Sequence, residues 1–126
     1  RAAHEEASRY AREPNTTGKA IPDHQAIAFR LADMATQVEA ARALTQQACA
    51  VRASGARALK HAAMAKLFAT EMAEKVCSDA IQIHGGYGFL KDFLVERIYR
   101  DVRVCKIYEG TSDIQKIIIS RELLSA

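Results

Sequence analysis

Residues 57–83, RALKHAAMAKLFATEMAEKVCSDAIQI, carry the pattern from which the fold class is predicted. Apolar residues recur along this stretch at steps of three and four, the spacing of one face of an α-helix. This stripe comprises Ala62, Ala65, Ala69, Met72, Val76, Ala80 and Ile83, and it is widened by Leu59, Ala63 and Leu67. Many of these residues are small, so we expect another helix to pack closely against this one.

The flanking sequence predicts four more helices. The first covers residues 2–13 and stops at Pro14, and the second runs from near Pro22 to Ser54-Gly55, because proline and glycine end helices. Its apolar stripe comprises Ile27, Leu31, Met34, Val38, Ala41, Thr45 and Ala48. The fourth helix covers residues 94–107. Short loops between helices indicate an all-α, antiparallel helical bundle, with residues 1–126 forming a single domain.

The fifth helix begins at Thr111 or Ser112 and runs to about residue 124. Ser112-x-x-Gln115 matches a capping box, in which the two side chains satisfy free backbone N–H groups at the helix start. Ile114, Ile117, Ile118, Ile119 and Leu123 make this helix apolar on most sides. We therefore expect it to be buried or to pack against a partner chain, as in a homo-oligomer.

The composition excludes several classes of protein. Nearly half of the 126 residues are apolar (49%), which argues against disorder, and no apolar run approaches the length of a membrane span. Tryptophan is absent and the net charge of +3 is spread along the chain, so we expect no nucleic-acid surface. The chain opens on Arg1 rather than methionine, and we interpret it as a fragment or excised domain.

The three cysteines, Cys49, Cys77 and Cys105, are far apart and have no histidine at ligand spacing. This pattern predicts neither a disulfide framework nor a zinc site. We expect reduced, mostly buried cysteines of a cytoplasmic or mitochondrial-matrix type of protein.

Glu109 lies between two predicted helices, beside Gly110 and just before a helix start. A carboxylate there is stabilised by the helix dipole and by free backbone N–H groups. A catalytic base needs such reach and an uncrowded backbone. From spacing alone, Glu109 is either a helix-capping acid or a catalytic base.

Two other segments could contact a ligand. Gly85, Gly86 and Gly88 follow the third helix and allow close backbone approach to a ligand, or they only turn the chain. His84 is the one histidine next to this loop. His24 and Gln25 lie in the first turn of the second helix, where they could bind a phosphate or adenine or stay in water.

These pieces, in this order, resemble the C-terminal domain of the acyl-CoA dehydrogenases, and the resemblance covers nearly the whole chain. IYEGTSDIQ at 107–115 is the most specific piece, and QIHGGYG at 82–88 looks like the glycine loop of that family. Further similarities lie at 10–13 (YARE), 18–19 (GK), 24–27 (HQAI), 31–34 (LADM), 95–97 (VER) and 100–101 (RD).

The resemblance implies a reaction and a cofactor. Enzymes of this family introduce a trans-2,3 double bond into an acyl-CoA thioester, with FAD as the oxidant. By that analogy Glu109 would remove the α-proton of the acyl-CoA substrate. Gln82, Gly85 and Gly86 would approach the adenosine end of FAD across a subunit boundary. Thr16, His24, Gln25, Thr111 and Asp113 would also line the cofactor, and an electron-transfer flavoprotein would be the redox partner.

The chain also departs from the pattern of this family. Pro14 and Thr17 stand where the family has an arginine, which meets the FAD pyrophosphate, and a phenylalanine; Leu94 replaces a proline and Lys106 replaces a glutamine. A charge-assisted phosphate contact contributes about 1.5–3 kcal/mol, so losing the arginine would weaken FAD binding. Two hypotheses follow: a C-terminal enzyme domain that is inactive as an isolated chain, and an engineered, non-catalytic scaffold or binding module with a designed protein partner.

Overall fold

The computed structural model describes residues 1–13 and 25–125, which form helices and short connections without a β-strand among them. The α-helices are α1 (Ala2–Ala11), α2 (Gln25–Ala53), α3 (Leu59–His84), α4 (Leu94–Val102) and α5 (Ser112–Leu124). Short 3-10 helices follow α3 (Gly85–Phe89) and α4 (Arg103–Lys106). The all-α prediction is confirmed. Thr16 and His24, and the departures at Pro14 and Thr17, lie outside the described residues.

The helix α3 is the centre of the bundle and packs against α1, α2, α4 and α5. Its pairing with α2 is antiparallel, as two ion pairs show: Arg30 pairs with Asp79, and Asp33, later in α2, pairs with Lys75, which is earlier in α3. At the other end of α3, Arg57 pairs with Glu122 near the end of α5. The start of α3 therefore lies beside the end of α5, and these two helices are also antiparallel.

The core lies around the C-terminal half of α3. From that helix Val76, Cys77, Ala80 and Ile83 are buried, and they join Met34 and Val38 of α2 and Val95 of α4. The helix α1 contributes Ala3, Ala7 and Ala11, one residue per turn, so that its backbone can approach the core closely. The predicted stripes on α2 and α3 are correct in this region.

The prediction fails at the edges of the core. Leu59 and Ala62 of the predicted α3 stripe, and Thr45 of the α2 stripe, are exposed, because the bundle is open at the end where the 54–58 connection lies. The predicted fourth helix stops at Val102 and continues only as a 3-10 turn. Cys49 is also exposed, whereas Cys77 is buried and Cys105 is intermediate, so the expectation of mostly buried cysteines is wrong for Cys49.

The apolar fifth helix is not buried within this chain. Gln115 is its one buried residue, and all of α5 is described. Large apolar side chains on it remain exposed, namely Ile114, Ile117, Leu123 and Leu124. Packing of α5 against a partner chain therefore stays a prediction.

Among the described helices, none combines the length and the apolar character that crossing a membrane requires.

Candidate functional site

Glu109 sits in a short loop between the 3-10 turn Arg103–Lys106 and α5, and its side chain is exposed. Its backbone is left-handed, with φ of 54°, and the next residue, Gly110, has φ of 91°. A left-handed conformation in a residue with a side chain costs of the order of 1–3 kcal/mol and persists only where the surroundings hold it. The direction of the Glu109 side chain is therefore imposed by neighbouring contacts.

Those contacts come from two side chains that bind the carbonyl groups of the loop. The Gln115 amide Nε2 donates to the carbonyl oxygens of Glu109 (3.3 Å) and Gly110 (3.1 Å). The Lys66 ammonium, on α3, donates to the same Gly110 oxygen at 2.6 Å. A hydrogen bond from a charged donor contributes about 1.5–3 kcal/mol, which is enough to offset the left-handed strain. Gly110 is also needed sterically, since a Cβ there would lie 2.8 Å from Gln115 Nε2.

A second set of contacts holds both sides of the loop against α3. The Lys106 ammonium lies 2.7 Å from Glu71 Oε2 and 2.8 Å from Glu74 Oε2. The Ser112 hydroxyl donates to Glu71 Oε1 at 2.6 Å. The hydrogen bonds from Lys106 and then from Ser112 hold the pKa of Glu71 below its ordinary value. Glu71 therefore joins the residues before and after Glu109 to one helix.

The start of α5 differs from the predicted capping box. The N-cap residue is Thr111, whose Oγ1 accepts a hydrogen bond from the Ile114 N–H at 3.4 Å. The Ser112–Gln115 box is wrong because Gln115 binds the loop carbonyls and Ser112 binds Glu71. Thr111 and Asp113 are both exposed at this helix start, beside the Glu109 loop.

The glycine loop has a structural part and an open part. Gly88 is buried, and a Cβ there would lie 2.5 Å from the Ile81 carbonyl oxygen, so this glycine permits a close turn. Gly85, with φ of 59°, and Gly86 are exposed, and a Cβ on either would meet no atom of the described residues within 4 Å. Gln82, one helical turn earlier, is exposed as well. No described residue therefore blocks the approach of a ligand or partner to the backbone at Gly85 and Gly86.

His84 belongs to the core rather than to a ligand-facing loop. It is the last residue of α3 and is only 3% exposed. Its ring stacks on Tyr10, with centroids 4.1 Å apart, and its Nδ1 lies 2.8 Å from the Ala80 carbonyl oxygen. The placement next to the glycine loop in sequence therefore gives His84 a packing role between α1 and α3.

The described candidate residues form two groups on one chain. Glu109, Thr111 and Asp113 lie beside the part of α3 that holds Lys66 and Glu71. Gln82, Gly85 and Gly86 lie at the other end of α3, roughly 15–25 Å away at the rise of 1.5 Å per helical residue. Gln25 is exposed at the same end, because α2 near Arg30 pairs with α3 at Asp79. A ligand that meets both groups must be long or must lie between two copies of the chain.

Sequence reasoning did not single out Lys66 or Glu71, and it gave Gln115 the wrong partner. Lys66 is separated by 44 residues from the carbonyl that it binds. The one available signal was its charge, since it stands between Ala65 and Leu67 in an apolar stripe.

Comparison with known proteins places this arrangement in context. A family model described as "Acyl-CoA dehydrogenase, C-terminal domain" matches residues 1–124. The subunit CarC of the caffeyl-CoA reductase–Etf complex of Acetobacterium woodii is 51% identical over 120 residues, which is 95% of this chain and 32% of CarC. An acyl-CoA dehydrogenase of Bacillus subtilis is 50% identical over 123 residues, which is 98% of this chain and 32% of that protein.

The fold is shared with a solved relative. The structure of butyryl-CoA dehydrogenase from Megasphaera elsdenii superimposes with a TM-score of 0.95 at 38% sequence identity, over 98% of this chain and 32% of that one. The chain thus spans about a third of the length of the relatives that it matches.

Proposed function

The chain belongs to the acyl-CoA dehydrogenase family, as its C-terminal domain, and on that premise we propose that Glu109 is the base that removes the α-proton of an acyl-CoA thioester. The whole reaction, the α,β-dehydrogenation of acyl-CoA, requires the parts of the protein that the matched relatives have outside this region. The isolated chain of 126 residues is expected to be inactive.

The observation that carries the proposal is the geometry at Glu109. An exposed carboxylate is held in a left-handed loop by hydrogen bonds to its backbone, and its side chain makes no ion pair or hydrogen bond among the described residues. A base must reach a carbon acid without competition from neighbouring donors. Substrate bound over this loop would exclude water from the carboxylate and from the reacting carbon, and it would bring the two within reach of each other.

The two groups of exposed candidate residues could each contact a different part of a flavin dinucleotide. Acyl-CoA dehydrogenases are flavoproteins, and FAD when bound supplies the acceptor for the β-hydride. The open backbone at Gly85 and Gly86, with Gln82, would receive the adenosine end, while Thr111 and Asp113 would contact the cofactor from a second copy. The separation of the two groups along α3 is compatible with binding between two copies, which is what the family resemblance implies. Thr16 and His24 remain predicted contacts.

The relatives act in both directions, as a dehydrogenase and as a reductase. A carboxylate that removes the α-proton in one direction returns it in the other. We therefore assign Glu109 the α-proton in either direction. An electron-transfer flavoprotein is the proposed redox partner, supported by the Etf complex to which CarC belongs. The exposed apolar side chains of α5 support a homo-oligomer.

The test is a chimera in which this chain replaces the matching C-terminal third of the Bacillus subtilis acyl-CoA dehydrogenase. The readouts are acyl-CoA oxidation, bound flavin by absorbance, and exchange of the acyl-CoA α-proton with deuterated water. Glu109→Gln keeps the shape of the side chain but cannot accept a proton, so we expect it to lower oxidation and α-exchange by about 10²–10⁴-fold with unchanged flavin content.

Glu39→Gln on α2 is the matched control, because Glu39 is an exposed carboxylate in an ion pair with Arg42 alone among the described residues. It should leave both rates unchanged. An active chimera in which Glu109→Gln retains full oxidation and exchange would remove the assigned base. A chimera that folds but never oxidises acyl-CoA would favour the alternative, a non-catalytic scaffold or binding module.

A further inference from the structure

Lys66 binds the backbone of the Glu109 loop rather than a carboxylate. Its ammonium binds a backbone carbonyl, Gly110, at 2.6 Å, and it lies within 4.0 Å of no carboxylate among the described residues. Lys66 also lines an apolar depression that includes several alanines of the same region (Ala58, Ala62, Ala65 and Ala69). A cation in such a setting is aimed at the loop rather than at a surface partner.

We propose that Lys66 and Gln115 are positioning residues for the Glu109 carboxylate, an inference that rests on the proposed role of Glu109 as base. Gln115 is only 6% exposed and donates to two consecutive carbonyl oxygens. Lys66 donates to the second of these oxygens from the opposite helix. Together they fix two successive peptide planes, those that follow Glu109 and Gly110.

Fixing these planes decides where the carboxylate points. The Cα–Cβ direction of Glu109 depends on its φ of 54° and on the peptide plane that follows it. A residue with a side chain prefers negative φ. Without the two donors the loop relaxes toward that basin, and the carboxylate moves away from its place at the start of α5. Proton transfer is sensitive to such movement, because a displacement of about 1 Å costs about 10²-fold in rate.

The contacts of Glu71 do not by themselves fix this direction. Glu71 binds Lys106, three residues before Glu109, and Ser112, three residues after it, and it contacts neither of the two peptide planes. Lys66 and Gln115 are the described side chains that reach those planes. Their loss should therefore affect proton removal at Glu109 in addition to stability, and the isotope effect distinguishes the two.

The experiment uses the chimera described above, with Lys66→Met, Gln115→Met and the conservative Lys66→Arg. Lys60→Met is the matched control, since Lys60 lies on the same helix and makes no hydrogen bond to residues 107–115, all of which are described. We measure kcat, KM, flavin content and the isotope effect with α-deuterated acyl-CoA.

Lys66→Met and Gln115→Met should each lower kcat by about 10–100-fold. KM should change by less than about threefold and flavin content should hold, because the loss affects the transition state rather than binding. The isotope effect should rise, since proton removal becomes more limiting. Lys66→Arg should restore most of kcat, because its guanidinium can also donate to the Gly110 oxygen.

Two results would overturn the inference. One is a Lys66→Met and a Gln115→Met enzyme with parental kcat and isotope effect. The other is a kcat that falls only in proportion to the folded, flavin-loaded fraction, with an unchanged isotope effect, which is the behaviour of a structural residue. If Lys66→Met does not fold, Gln115→Met decides alone. Glu109→Gln is measured in parallel. An inactive Glu109→Gln enzyme beside fully active Lys66→Met and Gln115→Met enzymes would refute the positioning role only, whereas an active Glu109→Gln enzyme would refute the assignment of Glu109 as the base.

Discussion

Substituting alanine at three glycines separates the two reasons for which Gly110 is needed. Gly86 has no left-handed φ, and no described atom lies within 4 Å of an added Cβ. Gly55 has φ of 80° and equally open surroundings. Gly110 combines φ of 91° with Gln115 Nε2 at 2.8 Å from the added Cβ. Alanine should therefore meet neither cost at Gly86, backbone strain alone at Gly55, and both strain and a clash at Gly110.

The magnitudes follow from these geometries. Replacing glycine by alanine stabilises by about 0.4–1 kcal/mol through the unfolded chain, which leaves Gly86→Ala neutral or slightly stabilising. A left-handed alanine costs about 1–2 kcal/mol, so Gly55→Ala should lose about 0.5–1.5 kcal/mol. At Gly110 the Gln115 amide must also move and lose hydrogen bonds to two carbonyls, at about 1 kcal/mol each. Gly110→Ala should therefore lose about 2–4 kcal/mol.

The assay is urea unfolding of the chain followed by far-UV circular dichroism, with the free energy of unfolding from linear extrapolation. The expected order of stability is Gly86→Ala, then Gly55→Ala, then Gly110→Ala. Equal losses at Gly55 and Gly110 would refute the packing of Gln115 under the loop. A loss at Gly86 as large as at Gly110 would refute the distinction between an open and a closed glycine.

Three further predictions concern the core, the cysteines and acid stability. Met34→Ala should lower the free energy of unfolding by about 2–5 kcal/mol, because Met34 is fully buried. Met64→Ala, at a residue that is 39% exposed, should cost less than about 1 kcal/mol. Both values come from urea titration, and equal costs would contradict the described core. Iodoacetamide should label Cys49 first and Cys77 only on unfolding, because Cys49 is exposed and burial raises the pKa of the Cys77 thiol to about 11. Peptide mass spectrometry measures the labelling, and modification of Cys77 in the folded chain would contradict the prediction. Lys106 and Ser112 hold the pKa of Glu71 below its ordinary 4.5. The contribution of Glu71 to stability is therefore complete above that pH and is lost as the pH falls through the folded-state pKa. Glu71→Gln should flatten the decline of the urea midpoint below about pH 4.5, and an unchanged decline would contradict the contacts of Glu71 with Lys106 and Ser112.

The helices and the approximate place of the candidate base could be predicted from the sequence alone. Helix formation depends on local spacing, so the apolar stripes around Val38 and Val76 were readable without knowledge of the partners. Glu109 was recognisable as a carboxylate between two helices, and the motif around it pointed to the family. These features arise within a few residues of one another.

The surroundings of Glu109 and the grouping of the candidate residues depend on contacts between helices, which the sequence does not report. The left-handed loop depends on a lysine 44 residues away in sequence, and no local pattern reports such a contact. The burial of Gln115 and His84 was likewise set by packing against distant helices, which overrode their polar character. The length of α3 separates the glycine loop from Glu109 within one chain, a separation that the two motifs by themselves do not report.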